Sequence, residues 1–487
     1  MSGKQKLENL VGNNNIFKEG DILEEYSGDL SFIPKMRPQC VVKPENSRQV
    51  QDIVKWANET LTPLVPVSSG HPHFRGDSVP SVNDTIILDL SRMKRIIRID
   101  NQNRVAMVEP GVTFAELQPE LEKAGMCSYT PLYPRHSKSI IGSMLEREPI
   151  TMPAHHWDAT DPMLCAEIVF GSGHILRGGE AAGPDTKEEQ WEIGKAQMTP
   201  MGLSQFNEHR LISGAQGTIG IVTWATLKCR YLSRITRTFL VPSQNLDQLI
   251  DLSYKLLRIR LGDYCFILNG LNLACLLGQT KEGIDKLRNN LPPWLLIVSF
   301  EGYGDLAEDK VQYQEADFRD IARSCLLEPE LEIPGIATQD LTKVLSSSSS
   351  EPYWKLMYKG GCHDIFFLTT LDKIPDFISA FTSLVSSHEF PIENVGIYIQ
   401  PIVQGTSCHC EFNLYADPTI QNEVNKTKQL INKGSGDLAR QGGFFSRPYG
   451  AWSNFAYGGS NETTIMQKKI KKIFDPNGIL NPGKLCF

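Results

Sequence analysis

Apolar positions in the first half of the chain follow two spacings. Val50, Ile53, Val54 and Ala57 fall at helical intervals behind Asn46, whose side chain can accept from the first helical turn, so a helix is predicted there. Thr113 and Glu116 form a capping box ahead of Phe114, Leu117, Leu121 and Ala124, and Gly125 is placed to end that second helix. Around these helices, the runs 85–90, 105–109 and 219–228 read as strands, and 166–177 reads as a hairpin turning on Gly171, Ser172 and Gly173. Mixed strands and helices from Cys40 to Cys229 predict an α+β or α/β arrangement. From about Ile235 to Asp437 the elements lengthen and glycine loops disappear, which predicts a second domain, with the serine run Ser346 to Ser350 as a solvated loop. Residues 442–487 return to glycine and aromatic residues. The expected division is an N-terminal helical or extended segment (1–36), a first domain (37–234), a second (235–440) and a returning C-terminal segment (441–487).

A chain of 487 residues is too long for one simple core, and its 41% hydrophobic and 22% charged residues are ordinary for a globular protein. No apolar run approaches the roughly 18 residues needed to span a bilayer. Residues 1–19 are polar, without the apolar stretch of a secretory signal, so a cytoplasmic location is expected. The net charge of -7, with no basic block, argues against a nucleic-acid partner. The 11 cysteines include no C-x-x-C pair and read as reduced thiols. Those at Cys408 and Cys410 share one strand face and are expected to pack.

The stretch Val65-Pro66-Val67-Ser68-Ser69-Gly70-His71-Pro72-His73-Phe74-Arg75-Gly76-Asp77 places a small-residue loop directly after an apolar strand. Such a loop lets consecutive backbone amides converge on an anion. Four further motifs follow in order: Glu109-Pro110-Gly111-Val112-Thr113, Ser139-Ile140-Ile141-Gly142-Ser143, Ser213-Gly214-Ala215-Gln216-Gly217-Thr218-Ile219-Gly220-Ile221, and the closing Asp475-Pro476-Asn477-Gly478 with Asn481-Pro482-Gly483-Lys484. Together they resemble the vanillyl-alcohol-oxidase/p-cresol-methylhydroxylase superfamily, in its glycolate-oxidase-like and D-lactate-dehydrogenase-like branch.

The resemblance implies a PCMH-type FAD-binding domain of two α+β subdomains and a substrate or cap domain with an antiparallel sheet flanked by helices. It implies that Ser68, Ser69, Gly70, His71, Pro72 and His73 hold the FAD pyrophosphate, with Gly76 and Asp77 completing the loop. Pro110 and Gly111 are then expected on the adenine side. Ser139, Ile141, Gly142 and Ser143, with Gly217, Thr218, Ile219, Gly220 and Ile221, are expected near the flavin, ribitol or pyrophosphate, and Asn481 and Lys484 fold back against the cofactor. Non-covalent FAD is expected, with attachment through His71 or His73 as the alternative. Where relatives carry small residues, this chain has Arg147-Glu148-Pro149 through His155-His156-Trp157-Asp158, read either as a reshaped ring pocket or as a surface loop.

His409, Glu411 and Asn413 alternate along one predicted strand and share a face. Hydroxy-acid relatives carry two histidines around this strand. Only the second, His409, is present, so no catalytic metal is expected. Arg447 and Tyr449 stand where the phenol-oxidising branch holds a phenolate, and they suit a carboxylate equally. Lys355 stands where lactate-type relatives use an arginine. The expected catalytic set is therefore His409, Glu411, Arg447 and Tyr449, in an FAD-dependent oxidase or dehydrogenase acting on an alcohol or 2-hydroxy acid. Oxidation of a para-substituted phenol, or service as an electron-relay subunit, are the alternatives. With no second redox motif here, electrons leave to a separate acceptor, which includes a protein partner. The resemblance also implies a homodimer.

Overall fold

The computed structural model describes residues 3–155, 162–183, 185–195, 207–459 and 461–487. His156, Trp157 and Asp158 of the segment singled out above lie outside the described residues. The first sheet is built from β1 (Ile16–Phe17), β2 (Cys40–Val42), β3 (Leu64–Val67) and β4 (Ile86–Asp89) in the order β1-β2-β4-β3, with parallel pairing of β2 and β3 to β4. Buried parallel strands need apolar residues on both faces, and Val41, Val42, Leu64, Val65, Ile86 and Ile87 are all at most 1% exposed. The helix Ser47–Thr60 covers this sheet with Val50, Ile53, Val54 and Ala57, and the Asn46 side chain accepts from Gln49 N at 3.0 Å, as the pattern predicts.

A second sheet comprises β5 (Ile96–Asp100), β6 (Val105–Val108), β7 (Met126–Ser128), β8 (Met163–Phe170), β9 (Ile175–Arg177) and β10 (Gly220–Tyr231). Its order is β5-β6-β10-β8-β9, with β7 on the far end of β10, and every pair is antiparallel. The helix Phe114–Lys123 packs on it behind the Thr113–Glu116 capping box, and Gly125 follows with φ 72°. β8 and β9 form the hairpin expected at Gly171 to Gly173.

The third sheet runs β11 (Ile235–Ser243), β13 (Trp294–Gly302), β12 (Tyr264–Asn269), β17 (Val395–Ile402), β18 (Ser407–Ala416) and β16 (Gly361–Thr369), all antiparallel. A short ribbon of β14 (Glu332–Ile333) and β15 (Ile336–Ala337) lies beside it. One face buries Phe239, Phe300, Phe367 and Phe412 under the helices Leu246–Arg258, Ala307–Ser324 and Ile374–Ser387. The opposite face packs Phe266, Leu268 and Tyr415 against Gly270–Leu277 and Thr338–Ser346. The expected α+β class with a flanked antiparallel sheet is thus observed. Among the described residues no helix is long and apolar enough to cross a membrane.

Within the serine run Ser346 and Ser350 are exposed, as expected of a solvated loop, and Ser349 departs from that expectation. Ser349 is 2% exposed: its N–H donates to Pro134 O at 2.7 Å, its carbonyl accepts from His136 N at 2.9 Å, and its hydroxyl accepts from Trp354 N at 3.0 Å. A serine carries its own hydrogen-bonding group, so one residue of a run that lacks apolar content can be buried where another backbone segment pairs with it.

The chain's end returns to the first sheet. Leu64 N donates to Ile479 O and Asn481 N to Leu64 O, each at 2.8 Å. The fully buried Asp475 accepts from Lys471 Nζ (2.6 Å), Ile479 N (3.0 Å) and Leu480 N (2.8 Å), while Lys471 also donates to the carbonyls of Thr218 and Leu480. Replacing one member of such a network strands its partner's charge. Asp475→Asn is expected to lower the unfolding free energy by about 3 kcal/mol, measured by denaturant titration; a loss below about 0.5 kcal/mol would mean that the returning segment is held elsewhere.

Candidate functional site

The 68–80 loop leaves β3 and is tied down from four sides. Gly70 N donates to Ser137 O at 2.9 Å, and Ser139 N donates to the Ser69 hydroxyl at 3.1 Å. Arg135 donates to Gly70 O at 3.1 Å. From the C-terminus, Lys484 Nζ donates to Gly76 O at 2.7 Å, and Asn481 Nδ2 donates to Asp77 O (2.9 Å) and Gln216 O (2.8 Å). Gly76 adopts φ 74° and has the Ile33 side chain 2.3 Å from where a Cβ would sit, so it combines the left-handed conformation with a close approach.

Three cavities meet at this loop. One, of about 150 Å³, is lined by Ser68, Ser69, His73, Arg75, Asp77, Arg135, Lys138, Glu148, Tyr353 and Asp364. A second, of about 110 Å³, shares Ser68 and Asp77 with it and adds Pro110, Ile141, Gly142, Gly217, Gly220, Ile221 and Tyr449. A third, of about 210 Å³, shares Arg75 and Asp364 with the first and Tyr449 with the second. The sequence-predicted residues Ser68, Ser69, His73, Asp77, Pro110, Ile141, Gly142, Gly217, Gly220, Ile221 and Tyr449 therefore line neighbouring cavities that share walls.

The other predicted residues stand behind that lining. Gly70, His71, Pro72, Gly76, Asn481 and Lys484 shape or clamp the loop. Ser139 caps the helix Ile140–Leu145 through Gly142 N, and its hydroxyl donates to Pro110 O at 2.6 Å; Ser143 donates to Glu148. A Cβ on Gly111 would lie within 2.9 Å of the carbonyls of Leu90, Ser91 and Met93, so this glycine serves close backbone packing. Thr218 and Ile219 are buried structural neighbours of the second cavity.

The polar atoms around the loop suit an anionic dinucleotide. His71 Nε2 and His73 Nε2 are buried without a hydrogen-bond partner among the described residues. Among the described residues Arg135, 7% exposed, has as direct contacts the Gly70 carbonyl, the Ser137 hydroxyl and the Phe74 ring, without an ion-pair partner, and burial pulls its pKa below the usual guanidinium value. A pyrophosphate supplies the missing counter-charge and acceptor oxygens. Burial also holds His73 well below the ordinary imidazole value and lowers His71, so both side chains are neutral near pH 7.

The polar face of the third sheet closes the space from the other side. Register places Phe366 opposite Glu411, Asp364 opposite Asn413 and Gln400 opposite His409, so these residues share one face, as the alternation of His409, Glu411 and Asn413 predicts. Lys355 Nζ donates to Asp364 at 3.0 Å and to Glu411; Asn413 bridges the same two carboxylates, at 2.6 Å to each. His409 Nε2 lies 3.1 Å from Glu411 Oε2. Burial opposes ionisation of Glu411, yet Lys355 and the His409 hydrogen bond hold its pKa well below the carboxylate range, while burial lowers His409. His409, Glu411 and Lys355 form a layer behind the cavity lining, whereas Asp364 reaches it.

Two guanidiniums lie over the Phe366 ring, Arg75 at 4.5 Å and Arg447 at 4.0 Å. Their electrostatics differ. Arg75 pairs with Asp364 at 3.1 Å, and the carboxylates outweigh burial to raise its pKa. Arg447 is 5% exposed and has neither a hydrogen-bond acceptor nor an ion-pair partner among the described residues; burial lowers its pKa. Sequence reasoning did not single out Arg135, Lys138 or Asp364. A lone acid inside the apolar strand Gly361–Thr369 was the available signal for Asp364; nothing local marked the other two.

Comparison with known proteins bears on the cofactor and the fold. Residues 38–179 match the family described as FAD binding domain, and residues 454–485 match the C-terminal domain of FAD linked oxidases. The chain is 23% identical to a D-2-hydroxyglutarate dehydrogenase of Stutzerimonas stutzeri, covering 99% of this chain and 98% of that protein. It is also 23% identical to a D-lactate dehydrogenase of Anaerostipes hadrus, covering 96% and 94%. The fold superposes on crystalline p-cresol methylhydroxylase with substrate bound at a TM-score of 0.84, with 18% identity over 100% of this chain and 96% of that one.

The loop geometry has two measurable consequences. Gly217 has φ 68°, with Pro66 Cγ 2.5 Å from where a Cβ would sit. Gly217→Val is expected to cut the ratio of bound flavin to protein by about ten-fold, since left-handed strain alone costs about 1–2 kcal/mol; a normal ratio after purification would refute the cradle. Burial, then Glu146, pushes Asp77 up to about 6, above its value of roughly 3.9 in an unfolded chain. The folded protein therefore carries a penalty that grows from about pH 4 to 6 and is full above that. Asp77→Asn should stabilise the flavin-free protein by the order of 1 kcal/mol at pH 7.5 and hardly at all at pH 4, read from denaturation midpoints.

Proposed function

The chain belongs to the FAD-linked oxidoreductases with a PCMH-type FAD-binding domain, and from that premise we propose that it removes a hydride from the hydroxyl-bearing carbon of an anionic alcohol, a 2-hydroxy acid. FAD, when bound, supplies the two-electron acceptor. The observation that carries the reading is the unpaired Arg447. Arg75 and Lys355 are matched by Asp364 and Glu411, so Arg447 is the cation left to receive a substrate carboxylate, and a guanidinium can do so through two parallel hydrogen bonds. Tyr449, whose phenol burial keeps protonated, lines the adjoining cavities and orients the bound head group.

The hydroxyl proton goes to the His409–Glu411 pair by relay, since that pair stands in the layer behind the cavity lining. A neutral imidazole donating from Nε2 to an ionised Glu411 leaves Nδ1 as its basic nitrogen. Lys355 and Asn413 hold Glu411 in that state, so they are positioning residues. The cofactor is bound non-covalently in this reading, with His73 offering Nε2 as a hydrogen-bonding group to the pyrophosphate. A second reading, oxidation of a para-substituted phenol with its phenolate on Arg447 and Tyr449, is favoured by the aromatic surroundings of Phe366, Tyr449 and Trp452.

An anaerobic panel of 2-hydroxy acids and para-alkylphenols, followed by bleaching of the flavin band at roughly 450 nm, separates the readings. Hydroxy acids are expected to bleach the flavin. Arg447→Met should lower their kcat/KM by about 10²–10³-fold while flavin content is retained, with Arg447→Lys recovering part of the loss. Bleaching by phenols alone establishes the second reading, and bleaching by neither class sinks both.

A further inference from the structure

The 2-hydroxy-acid reading leaves the apolar walls of the largest of the three neighbouring cavities without a role. This space of about 210 Å³ is walled by Phe32, Ile33, Phe74, Tyr449, Trp452 and Phe455. Its inner end is Arg75 and Asp364, shared with the cavity at the 68–80 loop, and its outer end carries the exposed Lys428 and Asn432. It is therefore a largely apolar cavity with a polar, exposed rim at one end and, at the other, the Arg75–Asp364 pair that it shares with the cavity at the cofactor loop. A two- or three-carbon acid held at Arg447 would leave these rings facing water, an unfavourable use of apolar surface.

Part of this wall comes from a strap, residues 29–33, which precedes the region matching the FAD-binding domain family. The strap is fixed to the cofactor loop by its backbone. Leu30 N donates to His73 O at 2.9 Å, and the Asp29 carboxylate accepts from Gly76 N and from Ser31 N. Ile33 fills the space left by the missing side chains of Gly76 and Gly450: a Cβ at either would come within 2.3 or 3.1 Å of it. At its tip, Phe32 stacks on His363 of β16 with ring centroids 4.3 Å apart and planes 17° apart. The strap thus reaches from the 68–80 loop to the third sheet, beside Asp364, and Phe32 forms part of the cavity wall.

We propose that residues 29–33 roof a subsite for the apolar body of the substrate, that Phe32 sets the size of that subsite, and that the substrate is an acid bearing an aromatic or extended aliphatic substituent. The proposal rests on the reading above for the charged head group. The subsite is argued independently, from the apolar walls, the charged inner end and the exposed polar rim. The inner end identifies the occupant as the tail of a small molecule, because it is formed by the same Arg75 and Asp364 that border the cofactor loop.

The test uses the flavin-loaded protein and two parallel series of increasing chain length: 2-hydroxy acids, and simple carboxylates that cannot be oxidised. Dissociation constants of the carboxylates are read by calorimetry, and kcat/KM of the hydroxy acids by flavin bleaching. Carboxylate affinity is expected to rise about four-fold per added methylene until the cavity is filled. Phe32→Ala should impose a loss that grows with chain length. Phe32→Leu should recover most of it, and Phe32→Trp should shorten the longest chain accepted. These last two variants keep the question answerable if the alanine variant folds poorly. Affinities independent of length, or an equal factor lost at every length, would overturn the subsite. If the carboxylate series climbs and responds to Phe32 while no hydroxy acid bleaches the flavin, the subsite stands and the head-group chemistry is what fails.

Discussion

The site depends on keeping one loop open. Ser68 to Pro80 borders all three cavities, and left to itself a segment of small residues would collapse or wander. Clamps from distant parts of the chain prevent this: Asn481 and Lys484 reach carbonyls 404 and 408 residues earlier in sequence, and Arg135 and Ser137 hold the opposite side. Burying the Lys484 ammonium is unfavourable and lowers its pKa, with the charges of Asp77 and Asp29 offsetting part of the cost. Native geometry at the 68–80 loop therefore requires the last seven residues to be in place, and the Lys471–Asp475 network is what puts them there.

The opposing face is organised by charge rather than by apolar packing. Lys355 sits between Asp364 and Glu411, Asn413 bridges the same carboxylates, and His409 leans on Glu411. Each acid has a donor, so the cluster tolerates burial. One basic residue remains outside this balance. The functional reading rests on that imbalance: a site with every charge satisfied has no reason to draw in an anion, whereas Arg447 feels Glu148 and Glu411 only at a distance and has no ion-pair partner among the described residues.

Local structure was legible in the sequence where the determining residues are neighbours. Asn46, the Thr113–Glu116 box and Gly125 mark helix ends through contacts within a few residues, and the alternation of His409, Glu411 and Asn413 fixes a shared face through strand geometry alone. The glycine-bearing bends were recognisable because their motifs occur together and in order. The counter-charges were not. Arg135 and Lys138 sit in a loop whose importance comes from tertiary approach to Gly70 and Glu146, which no periodicity encodes. Ser349 is buried through pairing with residues 134–136, more than 200 positions away, so its composition pointed the wrong way. The strap at 29–33 lacks regular structure and carries no pattern at all, yet it touches both halves of the site.

Phe366 has an unusual duty, since its ring is the surface on which Arg75 and Arg447 both rest. The negative face of an aromatic ring attracts a cation without itself being ionisable, and a guanidinium does not titrate in any range where proteins survive. The cationic part of the pull on a negatively charged guest is therefore the same in mild acid as in mild alkali, while Asp77, pushed up to about 6 in the lining of two adjoining cavities, opposes it more as the pH rises. The two guanidiniums therefore add no acidic or basic limb of their own to turnover, and such limbs come from Asp77 and from the His409–Glu411 pair.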